Sequence, residues 1–359
     1  MRNNQIKLLG NLIKIPSPSG FEEDIAEFIK QELLQYVPKT RVTVDFHNNV
    51  TAIIKGTSDK TIMIDAHLDQ IGFIVTNIDR RGFISLQYIG GGDRSILSAR
   101  NLVILTDKGK VNAVVNRLHA HLVEDEKDVC IEHMYQAAVD IGMRSRAKVQ
   151  SVVKIGDAVV YKPSFTHLRE SYYSGCGFDD KSGCFILLET IKSILKSGKK
   201  PIPTLIFTFS SQEETYGKKC RPLVRKYQPD LVIEVDVTFA SDWEDDDVNL
   251  EREMGRCELT KGAVLYRGVE IDKKCFKLAN SVAKNHKIKV QYQASYGSIG
   301  YTATELTHEG DGIKALILGI PLRNMHTPVE IINLRDLNYG VQLLSNFLLH
   351  RRIVGALER

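Results

Sequence analysis

Apolar positions in this chain change their spacing twice along its length. Ile6, Leu9, Leu12 and Ile13 form a helical stripe. After a Pro-rich turn, Ser19-Gly20-Phe21-Glu22 has the form of a capping box for a helix running through Leu34. Short β-branched runs follow, the clearest being Thr61-Ile62-Met63-Ile64-Asp65-Ala66. From about Thr76 to Phe165 the texture is different. Runs at 83–89, 101–106, 110–115 and 152–161 alternate with Gly and Asp turns, and little reads as long helix, which is the pattern of a small β-barrel or sandwich. After Gly177 helical and strand spacings alternate again, with helix at 184–196, strand at 205–209, helix near 221–227 and strand at 231–235. A last helix near 334–349 carries Leu337, Val341, Leu344, Phe347 and Leu348 on one face. The expected fold class is α/β, a mixed sheet with helices on both faces. Residues 1–75 and 166–359 would make that domain, and 76–165 an inserted β domain.

The polar residues that interrupt this pattern fall at the ends of the apolar runs. Thr61–Ala66 leads into His67-Leu68-Asp69, 205–209 into Gln212-Glu213-Glu214, 231–235 into Asp236, and 315–318 toward Met325-His326-Thr327-Pro328. Asp179-Asp180-Lys181-Ser182-Gly183 opens the helix that contains 184–196. Sites in open α/β sheets form at the carboxyl ends of strands, so these residues are aimed at one place. Two imidazoles (His67, His326) and three carboxylates suit zinc or a similar divalent ion at a catalytic site with open positions. Five ligands exceed one ordinary zinc site but fit two ions bridged by a carboxylate, about 3.5–4 Å apart. A further carboxylate is then free to act as general base. The adjacent pair Glu213-Glu214 supplies one of each, because neighbouring residues do not easily point the same way.

Singly, an Asp or Glu at a strand end usually caps a helix or faces solvent, and His326 is compatible with a simple turn. Jointly and in order, six such residues are hard to assign to accident. The other histidines lack this support. His119 and His121 read as structural or exposed, and His133, His167, His286 and His308 as surface residues. Asp65 and Glu234 lie inside strand-like runs, where local hydrogen bonding is expected for Asp65.

The chain resembles the tetrahedral aminopeptidase family, the dinuclear metallopeptidases that include glutamyl and deblocking aminopeptidases. The matching motifs are Ile15-Pro16-Ser17-Pro18-Ser19-Gly20-Phe21-Glu22, Ala66-His67-Leu68-Asp69-Gln70-Ile71-Gly72-Phe73, Phe178-Asp179-Asp180-Lys181-Ser182-Gly183, Gln212-Glu213-Glu214, Val235-Asp236-Val237-Thr238 and the segment from Ile320 to Glu330 around His326. They cover essentially the whole chain in family order. The resemblance implies a co-catalytic zinc-peptidase-like fold and an aminopeptidase acting on short peptides with two divalent ions, zinc or cobalt. Asp179 would bridge, His67 and Asp236 would complete one metal site, and Glu214 and His326 the other. Glu213 would be the base, Asp69 would orient His67, and the Asp179–Asp180 peptide bond would be cis. The inserted β domain would build dimers of a homo-oligomer that reaches a dodecamer in the family. An amidase, deacylase or carboxypeptidase of the same architecture, or a non-catalytic metal-binding relative, are the alternatives. Relatives also carry the label endoglucanase, but a glycosidase needs a carboxylate pair across a sugar and no metal.

Composition narrows the partners. Net charge is +4 and spread out, with no basic stretch interleaved with aromatics, which argues against nucleic acid. No apolar run approaches membrane-spanning length, and the amino terminus does not begin a signal peptide. Six cysteines without a Cys-x-x-Cys pair fit reduced thiols, so the expected compartment is the cytoplasm.

The chain departs from the family in three places. Gln70 stands where Glu is common. Thr215-Tyr216-Gly217-Lys218-Lys219-Cys220 replaces Val-Gly-Leu-Arg-Gly, and Gly300-Tyr301-Thr302-Ala303-Thr304-Glu305 replaces a segment with Gly-Thr-Asp that contacts substrate. The acidic run Asp242-Trp243-Glu244-Asp245-Asp246-Asp247 has two readings. As a pocket wall it would favour Lys or Arg at a peptide amino terminus. As a solvated loop it would never meet substrate.

Overall fold

Two helices, Asn3–Lys14 and Glu23–Leu34, open the chain and bury Leu9, Leu12, Ile13, Ile25 and Ile29, as the helical spacing predicts. The computed structural model describes residues 3–122, 131, 133–216, 220–243, 250–296, 307–310 and 312–358. Strands β1 (Val42–Val44), β2 (Val50–Ile54) and β3 (Thr61–His67) follow the helices. The chain then enters a closed barrel of β4 (Gly72–Ile78), β5 (Ile84–Ile89), β6 (Asn101–Thr106), β7 (Gly109–Val115), β8 (Val139–Asp140) and β9 (Ala158–Tyr161), in the order β4-β5-β8-β7-β6-β9. It returns through β10 (Phe165–His167), β11 (Tyr172–Gly175), β12 (Thr204–Ser210), β13 (Leu231–Phe239), β14 (Ala263–Gly268), β15 (Val290–Ser295), β16 (Lys314–Leu322) and β17 (Glu330–Asn333).

Eight strands make the main sheet in the order β1-β2-β12-β3-β13-β16-β14-β15, and β10, β11 and β17 form a separate small sheet. Pairing along β12-β3-β13-β16 is parallel, while β1-β2, β2-β12 and β16-β14 are antiparallel, so the sheet is mixed. The four parallel strands are buried almost throughout, which explains their continuous apolar runs. Helices Phe178–Lys196 and Leu334–Leu348 pack on this sheet and on each other, Gly340 giving room for Ile186 and Ile320 at its surface. The expected α/β fold with an added β-barrel is what the chain forms. Among the described residues no helix is long and apolar enough to cross a membrane.

The barrel has its own core. Phe73 is fully buried with its ring 5.0 Å from that of Tyr88 and 5.3 Å from that of Tyr161, and Leu102, Ile104, Val139 and Val159 fill the rest.

Several local expectations are corrected. The run at 152–161 is strand only from Ala158; before it lie a short helix, Arg146–Gln150, and a turn that buries Val153. The helix expected at 184–196 begins at Phe178, with Asp179 and Asp180 held in non-helical geometry and a cis peptide bond between them. Strand 231–235 continues to Phe239, because it stays paired with β16 along its length. Ser19-Gly20-Phe21-Glu22 is not a capping box: the helix starts at Glu23, and neither Ser19 nor Glu22 caps it with a side chain. Both side chains are committed elsewhere, as the site shows.

Candidate metal centre

Strand alternation places the polar face of the site. Asp65 pairs in register with Glu234 across β3 and β13, so these two, and His67 and Asp236 two residues further on, project from one face of the sheet. Their neighbours Ile64, Ala66, Val235 and Val237 project from the other into the core. His67 is the last residue of β3, Gln212 and Glu213 lie just beyond β12 after Ser211, and His326 lies in the turn between β16 and β17.

At these strand ends the side chains converge. His67 Nε2 lies 3.0 Å from Asp179 Oδ1 and 3.7 Å from Asp236 Oδ1. His326 Nε2 lies 3.2 Å from Asp179 Oδ2 and 3.3 Å from Glu214 Oε2. Asp179 therefore presents one oxygen to each histidine. Potential ligand atoms of His67, Asp179 and Glu214 fall within 4.8 Å of one another, as do those of His67, Asp180 and Asp236. Asp180 Oδ2 and Glu214 Oε1 are buried acceptors without a hydrogen-bond partner. Buried carboxylate oxygens of that kind are costly unless a donor or cation meets them. Oxygen and imidazole donors crowded this closely, with orphaned acceptors among them, fit a divalent cation site.

The electrostatics carry the same message. Burial, reinforced by neighbouring carboxylates, pushes Glu213, Glu214 and Asp236 up to about 7. Burial and the charge of Asp236 hold Asp180 well above the carboxylate range. Burial would also raise Asp179, but His326 and His67 override it and hold it well below that range. Burial pulls the histidines down, yet their carboxylate partners win: His326 rises to about 11, and His67 stands well above its ordinary value.

Asp69 is the hub that shapes the loops. Its Oδ1 accepts the Glu213 N–H at 3.0 Å, and its Oδ2 accepts the Glu214 N–H at 3.2 Å and the Ser19 hydroxyl. His67 Nδ1 is 3.1 Å from the Asp69 carbonyl oxygen and 3.4 Å from Oδ1, so the backbone carbonyl is the nearer partner of that ring nitrogen. Asp65 accepts from Thr208 and Ser210, the local bonding expected for it. His119, His121, His133, His167, His286 and His308 are all exposed.

The M42 glutamyl aminopeptidase family matches residues 48–343 of this sequence. A lysyl aminopeptidase of Pyrococcus furiosus is 29% identical over 95% of this chain and 96% of its own length. Among solved structures, a TET aminopeptidase from a marine sediment Thaumarchaeota archaeon superposes with a TM-score of 0.90 at 24% identity, covering 99% of both chains. The Pyrococcus horikoshii TET1 peptidase, which can assemble into a tetrahedron or a large octahedral shell, superposes at 0.83 with 27% identity over 96% of this chain and 99% of that one.

This chain belongs to the M42 glutamyl aminopeptidase family. Membership places it among peptide hydrolases.

Three residues of this M42 site escape a reading by motif chemistry. Asp180 shares a donor cluster with His67 and Asp236, although only its neighbour Asp179 was assigned to metal. Glu22 is fully buried, and its Oε1 accepts the N–H of Gly20 at 2.8 Å and of Gln212 at 3.1 Å; burial pushes it up to about 8. Glu330 accepts the N–H of Phe178 and of His326, and burial with the nearby Asp179 charge pushes it to about 8 as well. Glu22 and Glu330 sit inside the family motifs, but nothing in their spacing says which backbone they hold. Gln70, the departure after Asp69, accepts a hydrogen bond from buried Lys181, which also donates to the Ile15 carbonyl at 2.6 Å.

The acidic run is only partly open to view. Asp242 is engaged by Arg323 through two bonds of 2.8 Å and accepts the Leu259 N–H, so its charge is compensated. Residues 244–247 and the segment 300–305 lie outside the described residues, as do 217–219 of the second departure. Five of the six cysteines are described, and all five are free and buried; Cys130 lies outside.

Proposed function

We propose that this chain is a metal-dependent aminopeptidase that removes the amino-terminal residue of short peptides with two divalent ions, zinc or cobalt, and Glu213 as general base. The observation that carries this reading is Asp179, with one carboxylate oxygen toward His67 and the other toward His326. His67 and Asp236 would hold one ion, His326 and Glu214 the other, with Asp179 between. Bound there, the ions would polarise the scissile carbonyl and lower the pKa of water. Glu213 takes the proton of the attacking water on its carboxylate and returns it to the leaving amine. Its place next to Glu214, with both backbone N–H groups fixed on Asp69, holds one carboxylate toward the ions and leaves the other for substrate. Asp69 thus positions both glutamates as well as the His67 ring.

Residues 76–165 are proposed to act as a unit inserted between 1–75 and 166–359 and to mediate a dimer-built homo-oligomer in the cytoplasm. The shells named for the Pyrococcus horikoshii TET1 peptidase support assembly of this kind. The lysyl activity named for the Pyrococcus furiosus relative makes basic amino-terminal residues the first substrates to try. The test is a panel of aminoacyl chromogenic substrates and short peptides, assayed with metal-stripped protein and after adding zinc, cobalt or manganese. Turnover of amino-terminally blocked but not free peptides would replace aminopeptidase by deacylase, and turnover that survives chelation would retire the metal reading.

A further inference from the structure

Beyond the residues that would touch metal or substrate, the geometry points to Glu330 as a positioning residue that sets the separation of the two metal sites; we infer that its carboxylate is the brace between them. The inference rests on the two-ion reading proposed above.

The two loops that must meet at the site come from distant parts of the chain. Asp179 lies two residues after Gly177, which adopts φ +82°, and His326 sits in its turn at φ +61°, a region unusual for a residue with a Cβ. Glu330 is the first residue of β17, and its Cα partner on β11 is Gly175, three residues before Phe178. From there its side chain reaches both loops. Oε2 accepts the Phe178 N–H at 2.7 Å, and Oε1 accepts the His326 N–H at 3.2 Å. Phe178 directly precedes Asp179, and His326 is itself a candidate ligand.

Most of the turn's other backbone and side-chain hydrogen bonds are internal, apart from the Arg323–Asp242 pair at its base. Arg323 and Ile331 exchange backbone bonds across its base, Thr327 Oγ1 donates to the Asn324 carbonyl at 2.7 Å, and Asn324 Nδ2 donates to the Val329 carbonyl. These fix the shape of the turn; its placement relative to Asp179 is left to the 3.2 Å approach of His326 Nε2 to Asp179 Oδ2 and to Glu330. Glu330, with 2% of its surface exposed, spans that gap by holding backbone N–H groups on both sides, without using either ligand atom. A carboxylate suits the task because it offers two acceptors about 2.2 Å apart on a rigid plane. Outer-shell groups that orient ligands typically contribute about 10–100-fold to metal affinity.

Metal-stripped full-length chain is titrated with cobalt(II), following the visible absorption of each bound ion and the stoichiometry by equilibrium dialysis, with the melting temperature of the metal-free protein measured in parallel. Wild type is compared with Glu330→Gln, Glu330→Asp and Glu330→Ala. The expected result is two ions for wild type, and in the variants one ion weakened about 10–100-fold with an altered absorption band, the other far less affected. Glu330→Gln keeps the length and one acceptor, so it stays folded and weakens least. Glu330→Asp keeps the charge but is a methylene short, and fails to restore the affinity. Unchanged affinities and spectra in all three variants would overturn the inference. So would equal loss of both ions in step with a falling melting temperature, which marks a purely structural role. A wild type that binds fewer than two ions would sink the two-ion reading, and this inference with it.

Discussion

Between Ile71 and Phe178 the described residues bury no Ser, Thr, Asn, Gln, His or charged side chain. The site at the strand ends of the main sheet, completed by the start of the helix Phe178–Lys196 and by β17, buries Asp65, His67, Asp69, Asp179, Asp180, Lys181, Glu234, Asp236 and Glu330. Both regions are β-structure with dense apolar cores, yet they use burial for opposite ends. In the barrel, burial contributes stability alone: inward residues such as Phe73, Val75, Leu102 and Ile104 meet other apolar groups. In the sheet, the same low-dielectric surroundings surround carboxylates that repel one another and crowd two imidazoles. Burying charge without a partner is costly, so this region forgoes stability where chemistry is required. The barrel should therefore respond to mutation as a structural element, and the sheet ends as a site.

The sharpest way to break that contrast is Glu213→Gln. Loss of a general base should lower kcat by about 10²–10⁴-fold while the bound metal stays at wild-type level by elemental analysis. A loss of one ion in this variant would make Glu213 a ligand instead. On the other side, Phe73→Ala should destabilise the barrel by about 3–5 kcal/mol, read in denaturant unfolding, with metal content of the folded protein unchanged. If it emptied the metal centre, the two regions would not be separable in the way their cores imply.

Ligand changes sharpen the sheet side. Asp179→Asn should lose more metal than His67→Ala or His326→Ala, because one carboxylate faces both histidines. Retained stoichiometry in Asp179→Asn together with loss in Asp180→Asn would move the bridge to Asp180, which has a donor cluster of its own.

A subtler difference concerns pH. Glu213, Glu214 and Asp236 are raised to about 7 in the folded metal-free chain, above the roughly 4 of an unfolded carboxyl. A carboxyl raised by folding contributes stability below its unfolded pKa and loses it as pH rises through the folded one. Metal-free protein should thus melt lower at pH 8 than at pH 5, and zinc should restore the loss at pH 8. His67 and His326, raised by their carboxylate partners, add to this trend, because the unfolded imidazoles lose their protons in the same window. Asp179, held low, changes its contribution only below about pH 4, so an inverted profile would mean that the three carboxyls are not raised in the metal-free chain. The smallest effect is expected from Asp242→Asn. Its carboxylate is taken by Arg323, so the ratio of lysyl to leucyl kcat/KM should not change. A fall in that ratio would return Asp242 to the substrate pocket.

Much of this could be read before any coordinates. Continuous apolar runs located β6 and β12, and helical spacing the helices Arg221–Tyr227 and Leu334–Leu348, to within a residue or so, because the strands are largely buried and the last helix buries one regular face. Strand-end chemistry selected His67, Glu213, Glu214, Asp236 and His326, and the fold brings them to one place. The run 152–161 misled because Val152 and Val153 have strand-like chemistry but lie in a turn that the barrel closes over. Ser19 to Glu22 misled for a related reason: the local pattern of a cap was outweighed by distant partners, Asp69 for Ser19 and the Gln212 amide for Glu22.

What the residue order determined by itself was the set of local preferences and the inventory of chemistry: which runs are strands, where a barrel-like stretch interrupts the α/β rhythm, and which side chains are able to bind metal. Only the tertiary structure decided register and convergence. The pairing of Asp65 with Glu234, the two-sided placement of Asp179, and the backbone groups held by Glu22 and Glu330 all join residues far apart in the chain. A hydrogen-bonding side chain carries no mark of a partner more than a hundred residues away, so its role is set when packing brings that partner within reach.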